Sequence, residues 1–180
     1  MGYFNYNKEK DFLICIDSDG CAMDTMNSKH FNSFGPEFVK SYDLEEYRDE
    51  ALEYWNEINL FTGTRGINRF KGLAMAVREM SDRKGIKFDG LEEFENWVET
   101  APQLSNPALL EKCQEKSNEC MERALLWSIH VNLSIVAAQD DDMPFENVKD
   151  TMDELCKQAD LTAVSSANGQ AVEHEWTKHE

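Results

Sequence analysis

The sequence predicts an α/β chain, with short parallel strands near its two ends and a long, almost purely helical segment inserted between them. Three stretches carry that prediction. Phe12-Leu13-Ile14-Cys15-Ile16 is an apolar run without helical period, closed by Asp17-Ser18-Asp19-Gly20, and reads as a strand buried on both faces. Leu161-Thr162-Ala163-Val164-Ser165 reads as a second short strand. Between them, roughly 115 residues of helical pattern far exceed an ordinary crossover, so an inserted helical subdomain is the simpler account.

In chain order, residues 26–44 are mixed, and Gly35-Pro36 marks a turn. Leu44, Tyr47, Ala51, Leu52, Trp55 and Ile58 recur at spacings of three and four, which predicts a helix over 44–59. Two glycines in Phe61-Thr62-Gly63-Thr64-Arg65-Gly66 break it. A second helix is expected over 67–81, with Phe70, Leu73, Ala74, Val77 and Met80 on its inner face and Lys84-Gly85 closing it. A short helix over 91–99 carries Phe94, Trp97 and Val98. Ser105-Asn106-Pro107 is a helix start, a capping residue with proline in the first turn. One or two helices follow to about residue 138, where Leu125, Leu126, Ile129, Leu133 and Val136 form a wide apolar stripe of the kind that faces a core. Asp140-Asp141-Asp142 and Pro144 stop that run. A helix over 145–159 leads into the second strand, and Asn168-Gly169 turns into a last helix.

Acids outnumber bases 35 to 18, a net charge of −17. That balance argues against a nucleic-acid backbone or an anionic membrane surface as the main partner. It still admits a phosphorylated small molecule, because a local metal ion and a few arginines reverse the sign at a site. Five cysteines show no CxxC pair and read as reduced thiols, which with the absence of a leader-like apolar stretch at the start suggests a cytoplasmic protein. No apolar run approaches the ~20 residues of a membrane span. His30, His130, His174 and His179 share no ligand spacing and read as structural.

The chemistry concentrates at the end of the first strand, where ligand sites of open α/β sheets lie. Asp17 and Asp19, two residues apart, can share one divalent cation and one anionic substrate. One carboxylate attacks phosphorus, the other manages the proton, and a hard, oxygen-seeking Mg²⁺ held by Asp17 and Asp19 screens the repulsion. Gly20 lets the backbone turn so that amides face a phosphate. An acidic turn at a strand end is the plainer reading of the same residues. A calcium loop fits poorly, since Gly20 arrives too early and Ser28 stands where the closing Glu belongs.

The stretch from Phe12 to Thr25, an apolar run followed by Asp17-x-Asp19-Gly20-x-x-x-Asp24-Thr25, resembles the first motif of the haloacid dehalogenase (HAD) superfamily. Leu161 to Ser165, followed by Ser166-Ala167-Asn168, resembles its second. The resemblance implies a partial HAD-like Rossmannoid core of parallel strands, residues 1–25 and 145–180, and an inserted α-helical cap, residues 26–144. It implies Asp17 as nucleophile, Asp19 as acid/base, and phosphate binding by Gly20, Ser165 and Ser166. Asp19 favours phosphate chemistry over dehalogenation. Arg65, Asn68 and Arg69 in GTRGINRF would be cap residues choosing the substrate; the alternative is two surface arginines pairing with Glu53 or Glu57.

The superfamily also has a third motif, a Lys or Arg, and a fourth, one or two acids, both after the second strand. Lys178 lies in the first helix after that strand and is poorly placed for the third; Asp140 to Asp142 precede the strand and read as a solvated helix end. The expectation is therefore a truncated chain, a Mg²⁺-dependent phosphatase acting on a small phosphorylated metabolite, weak or inactive in this form. Its unpaired sheet edges could be covered by self-association. A non-catalytic interaction protein on a degenerate HAD scaffold and a phosphomutase-like relative are the alternatives.

Overall fold

A computed structural model describes residues 7–138, 143–165, 167 and 169–179. The chain is mixed α/β, mostly helical with a small parallel sheet, and it divides into two compact units. The first comprises Met1–Met26 and Asp140–Glu180, the second Asn27–Gln139.

The first unit holds β1 (Phe12–Ile16), β2 (Ala159–Ala163) and two helices of the C-terminal segment. The strands pair in parallel, from Phe12 opposite Ala159 to Ile16 opposite Ala163, and Val164 N donates to Ile16 O at 2.8 Å just beyond. β2 starts two residues earlier than the sequence predicts. Its start is pinned by Asp160, whose carboxylate accepts from the amides of Glu9 and Lys10 at 3.0 and 3.1 Å, ahead of β1.

β1 is not buried on both faces. Phe12 is 72% and Leu13 46% exposed, and Cys15 is exposed as well. Among the described residues the strand has one neighbour, and nothing pairs with its other edge. The fully buried apolar residues of this unit are small in number among the described ones: Ala22, Met23 and Ala159.

The chain leaves and re-enters this unit through one narrow crossing. Asp24 N donates to Met143 O at 2.8 Å and Phe145 N to Ala22 O at 3.0 Å, flanking an antiparallel Met23–Pro144 bridge. Pro144 sits at the one position of that ladder where no N–H is needed.

In the second unit, Met26–Lys29 (α1, whose first residue belongs to the other unit) runs into a π-helical turn, His30–Phe34, and then α2 (Gly35–Ser41). Gly35-Pro36 is thus helical rather than a turn. Proline is tolerated in a first turn because its missing N–H would be unpaired there. A Cβ on Gly35 would stand 2.9 Å from Leu52 Cδ2 and 3.2 Å from Trp55 Cδ1, so the glycine is needed for close packing. The expected helix over 44–59 forms in three pieces: a 3₁₀ turn Glu45–Tyr47, α3 (Arg48–Asn56) and a π turn Glu57–Phe61.

There follow α4 (Arg69–Lys84), α5 (Leu91–Thr100), α6 (Asn106–Glu115) and α7 (Glu119–Ala137). Asn68, Ser105 and Asn118 cap α4, α6 and α7 by accepting from the amides of Phe70, Ala108 and Met121. Gly85 ends α4 at φ +68, the left-handed cap that glycine takes without strain.

The core is aromatic. Trp55 lies 5.5 Å from both Phe38 and Trp127, ring to ring, and Phe70 bridges Trp127 to Trp97. The buried rings find partners for their polar atoms: Trp55 Nε1 donates to His30 Nδ1 at 3.0 Å and Trp127 Nε1 to Phe34 O at 3.2 Å.

α7 corrects the sequence reading. Its buried face is Cys120, Met121, Ala124, Trp127, Ser128 and Val131. Of the apolar stripe expected to face the core, Leu126, Ile129, Leu133 and Val136 face solvent, and only Leu125 packs against the core.

Back in the first unit, α8 (Val148–Leu155) precedes β2 and packs beside it, and α9 (Gly169–Lys178) follows. α8 is shorter than the 145–159 expected. Asn147 enters it from a left-handed conformation, φ 66, which fixes its start.

Candidate functional site

The residues that follow β1 form a tight, internally bonded turn. Ser18 O accepts from the amides of Cys21 and Met23 at 3.2 and 2.8 Å, Asp17 O from Ala22 N at 3.2 Å, and Met23 O from Gly20 N at 2.8 Å. Gly20 takes φ +76, a left-handed conformation that strains residues with a Cβ. Its amide is engaged within the turn, so its part here is conformational.

Within that frame Ser18 is buried, Asp17 is exposed and Asp19 is half-buried. Ser18 N donates to Asp17 Oδ1 at 2.9 Å, which fixes the carboxylate and leaves Oδ2 without a protein partner among the described residues. The buried hydroxyl of Thr25 donates to Asp19 Oδ1 at 2.5 Å. From the far end of the chain, Trp176 Nε1 donates to Ser18 Oγ at 2.9 Å.

Ser165 lies two residues past β2, half-buried. Its Oγ accepts from Ala167 N at 3.1 Å, a local turn that leaves the hydroxyl proton to donate elsewhere. Because the strands are parallel and in register from Ile16–Ala163, Asp17 and Ser165 emerge from the same, carboxyl edge of the sheet. Asp17, Asp19, Gly20 and Ser165 are thus gathered at that edge. Ser166, Asn168 and Asp140–Asp142 lie outside the described residues; Lys178 is in the last turn of α9.

Arg65, Asn68 and Arg69 belong to the second unit, and each has a scaffold partner there. Arg65 is exposed and donates to Asn27 Oδ1 and Leu60 O, both at 3.2 Å, and among the described residues pairs with neither Glu53 nor Glu57. Asn68 caps α4 and reaches Leu104 O at 3.4 Å. Arg69 crosses to α7, donating to Ser128 Oγ at 3.2 Å and Asn132 Oδ1 at 2.7 Å, with its guanidinium 5.1 Å above the Phe34 ring.

The donor chemistry at the strand end suits a hard cation, since carboxylate oxygens are what Mg²⁺ prefers. The set is partial: among the described residues no three or more His, Cys, Asp or Glu side chains gather around a common point. Sequence reasoning did not single out Trp176 or the hydroxyl of Thr25 as supports. Trp176 carries no signal in spacing; Thr25 lies within the motif, and only the fold shows its hydrogen bond.

No family model, no curated protein and no solved structure matches this chain. Among the described residues no helix is long and apolar enough to cross a membrane.

Proposed function

We propose that this chain carries the nucleophile and the acid/base of a HAD-type phosphatase, with the first unit as its core and the helical unit as its cap. The observation that supports this most is the parallel register of β1 and β2, which delivers Asp17 and Ser165 to one edge of the sheet.

In this reading Asp17 Oδ2 attacks the phosphorus of a small phosphorylated metabolite, forming an acyl-phosphate while the bond to the leaving oxygen breaks. Asp19 gives that oxygen its proton, then takes one from the water that attacks the acyl-phosphate and returns Asp17 as a carboxylate. Thr25 holds Asp19 in place, and the Ser165 hydroxyl donates to a phosphoryl oxygen. Mg²⁺ bound by Asp17 and Asp19 would supply the charge neutralisation between carboxylate and phosphate. With two protein carboxylates to hold it, Mg²⁺ would bind weakly, and turnover would be slow.

The test is hydrolysis of p-nitrophenyl phosphate with and without Mg²⁺, by the parent chain and by Asp17→Asn, with borohydride trapping of the acyl-phosphate. Mg²⁺-dependent hydrolysis that Asp17→Asn abolishes supports the reading. Hydrolysis undiminished by that substitution, or no labelled Asp17 after trapping, overturns it. The exposed apolar face of α7 favours a second reading, an interaction protein on this scaffold. A phosphomutase-like relative would differ only in passing the phosphoryl group to a sugar hydroxyl instead of water.

A further inference from the structure

Leu126, Ile129, Leu133 and Val136 are 53, 40, 63 and 58% exposed, and their 3-4-3 spacing puts them on one narrow face of α7. The whole stretch from Ala124 to Ala138 contains no Asp, Glu, Lys or Arg, in a chain that has 53 of them. We infer that α7 pairs with α7 of a second copy of this chain, antiparallel, about a two-fold axis level with Val131.

The spacing is its own complement. Reversed about position 131, Leu126 falls opposite Val136 and Ile129 opposite Leu133, so each contact occurs twice, as an isologous interface requires. The uncharged run, Ala124 to Gln139, is centred within half a residue of the same point. Two copies with a net charge of −17 each repel one another over most of their surfaces. From Ala124 to Ala137 α7 contributes no carboxylate of its own, so there it can meet its own image without the acidic repulsion of the rest of the surface. The only titratable side chain in that run, His130, is flanked by Glu37, with Nδ1 3.9 Å from Oε2.

Four half-exposed aliphatic side chains offer on the order of 400 Å² per copy, about half of what one side of a standard interface buries. The dimer is accordingly reversible and concentration-dependent. It tightens with salt, because screening weakens the acidic repulsion while leaving the apolar contact intact.

Sedimentation equilibrium of the full chain tests this, from micromolar to about half-millimolar. The mass should rise from one chain toward two. Leu126→Lys and Val136→Glu, each alone, should weaken association by about tenfold or more, because each brings an unpaired charge into the contact. The double variant L126K/V136E should recover most of the loss, because the ammonium introduced on one copy meets the carboxylate introduced on the other; within one chain the two positions are nearly three turns apart. A parent chain monomeric throughout, singles that dimerise as tightly as the parent, or a double variant no better than the singles each overturns the proposal. Both sites are exposed, and far-ultraviolet circular dichroism confirms that each variant keeps its helices.

Discussion

Trp176 donates its indole N–H to the buried hydroxyl of Ser18, 158 positions away in sequence, and so ties α9 to the residue that separates the two strand-end acids. A hydrogen bond of this kind is worth about 1 kcal/mol, and losing one partner strands the other. Trp176→Phe keeps most of the ring's bulk and removes the donor. Its expected effect is a loss of about 1 kcal/mol in stability together with a lower rate of the proposed phosphatase reaction, read by urea denaturation and by the aryl-phosphate assay. Ser18→Ala should act in the same direction, and the double variant should cost less than the two singles added.

In the proposed mechanism Asp19 matters in proportion to how badly the leaving group needs a proton. Asp19→Asn is expected to slow hydrolysis of an alkyl phosphate far more than that of p-nitrophenyl phosphate, whose phenolate leaves unaided. Thr25→Val, which removes the donor to Asp19 Oδ1, should show the same selectivity in milder form. Equal losses on both substrates would take the proton-transfer role away from Asp19.

Gly72 should behave against the usual rule for helices. Replacing a helix-interior glycine with alanine normally stabilises by roughly 0.5–1 kcal/mol. Here a Cβ would run into the side-chain carbonyl of buried Asn59, which is itself anchored to Trp55 O by a 2.8 Å bond. Gly72→Ala is therefore expected to destabilise by about 1–3 kcal/mol in chemical denaturation.

Alkaline pH should loosen the helical unit. Burial pushes the Cys120 thiol up from 9.0 to about 11, and burial raises the neighbouring Tyr42 hydroxyl well above its ordinary 10.0. Both groups are neutral when protonated, so the folded state holds protons that the unfolded chain releases first. Their contribution is complete below about pH 9 and fades as pH rises through 9 to 11 and beyond. Thermal unfolding should move down across that range, and Cys120→Val should flatten the early part of the decline.

Phe12 should be replaceable. At 72% exposure it contributes little packing, so Phe12→Ser should change stability by less than about 0.5 kcal/mol while reducing aggregation through this exposed apolar side chain. Light scattering and thermal unfolding, measured side by side, would separate the two effects.

What could be read from the sequence followed from periodicity and from abrupt changes of residue type. Trp55, Trp97 and Trp127 recur on helical apolar faces and are in the core; Ser105, read as a helix start, caps α6. The change from Ile16 to Asp17 marks the strand end to the residue. The failures share one cause: hydropathy records what a side chain favours, whereas burial depends on which neighbour arrives. β1 has the composition of a doubly covered strand yet, among the described residues, has one partner. α7 is apolar on two faces, and the one carrying Trp127 won the core, leaving Leu133 outside. Glycine and proline at 35 and 36 signal a turn in isolation, but the approach of Trp55 makes a helix the better use of both.

The Met23–Pro144 crossing also bears on how such a molecule could change over time. Entry to and exit from the helical excursion lie side by side, so the excursion behaves as a detour rather than a link. A short bridge from residue 24 to residue 143 should close the path without disturbing the register of Ile16 with Ala163. By the same route a different bundle could be spliced in at that doorway. Lineages could then exchange one helical bundle for another while the residues at the strand tip stay as they are.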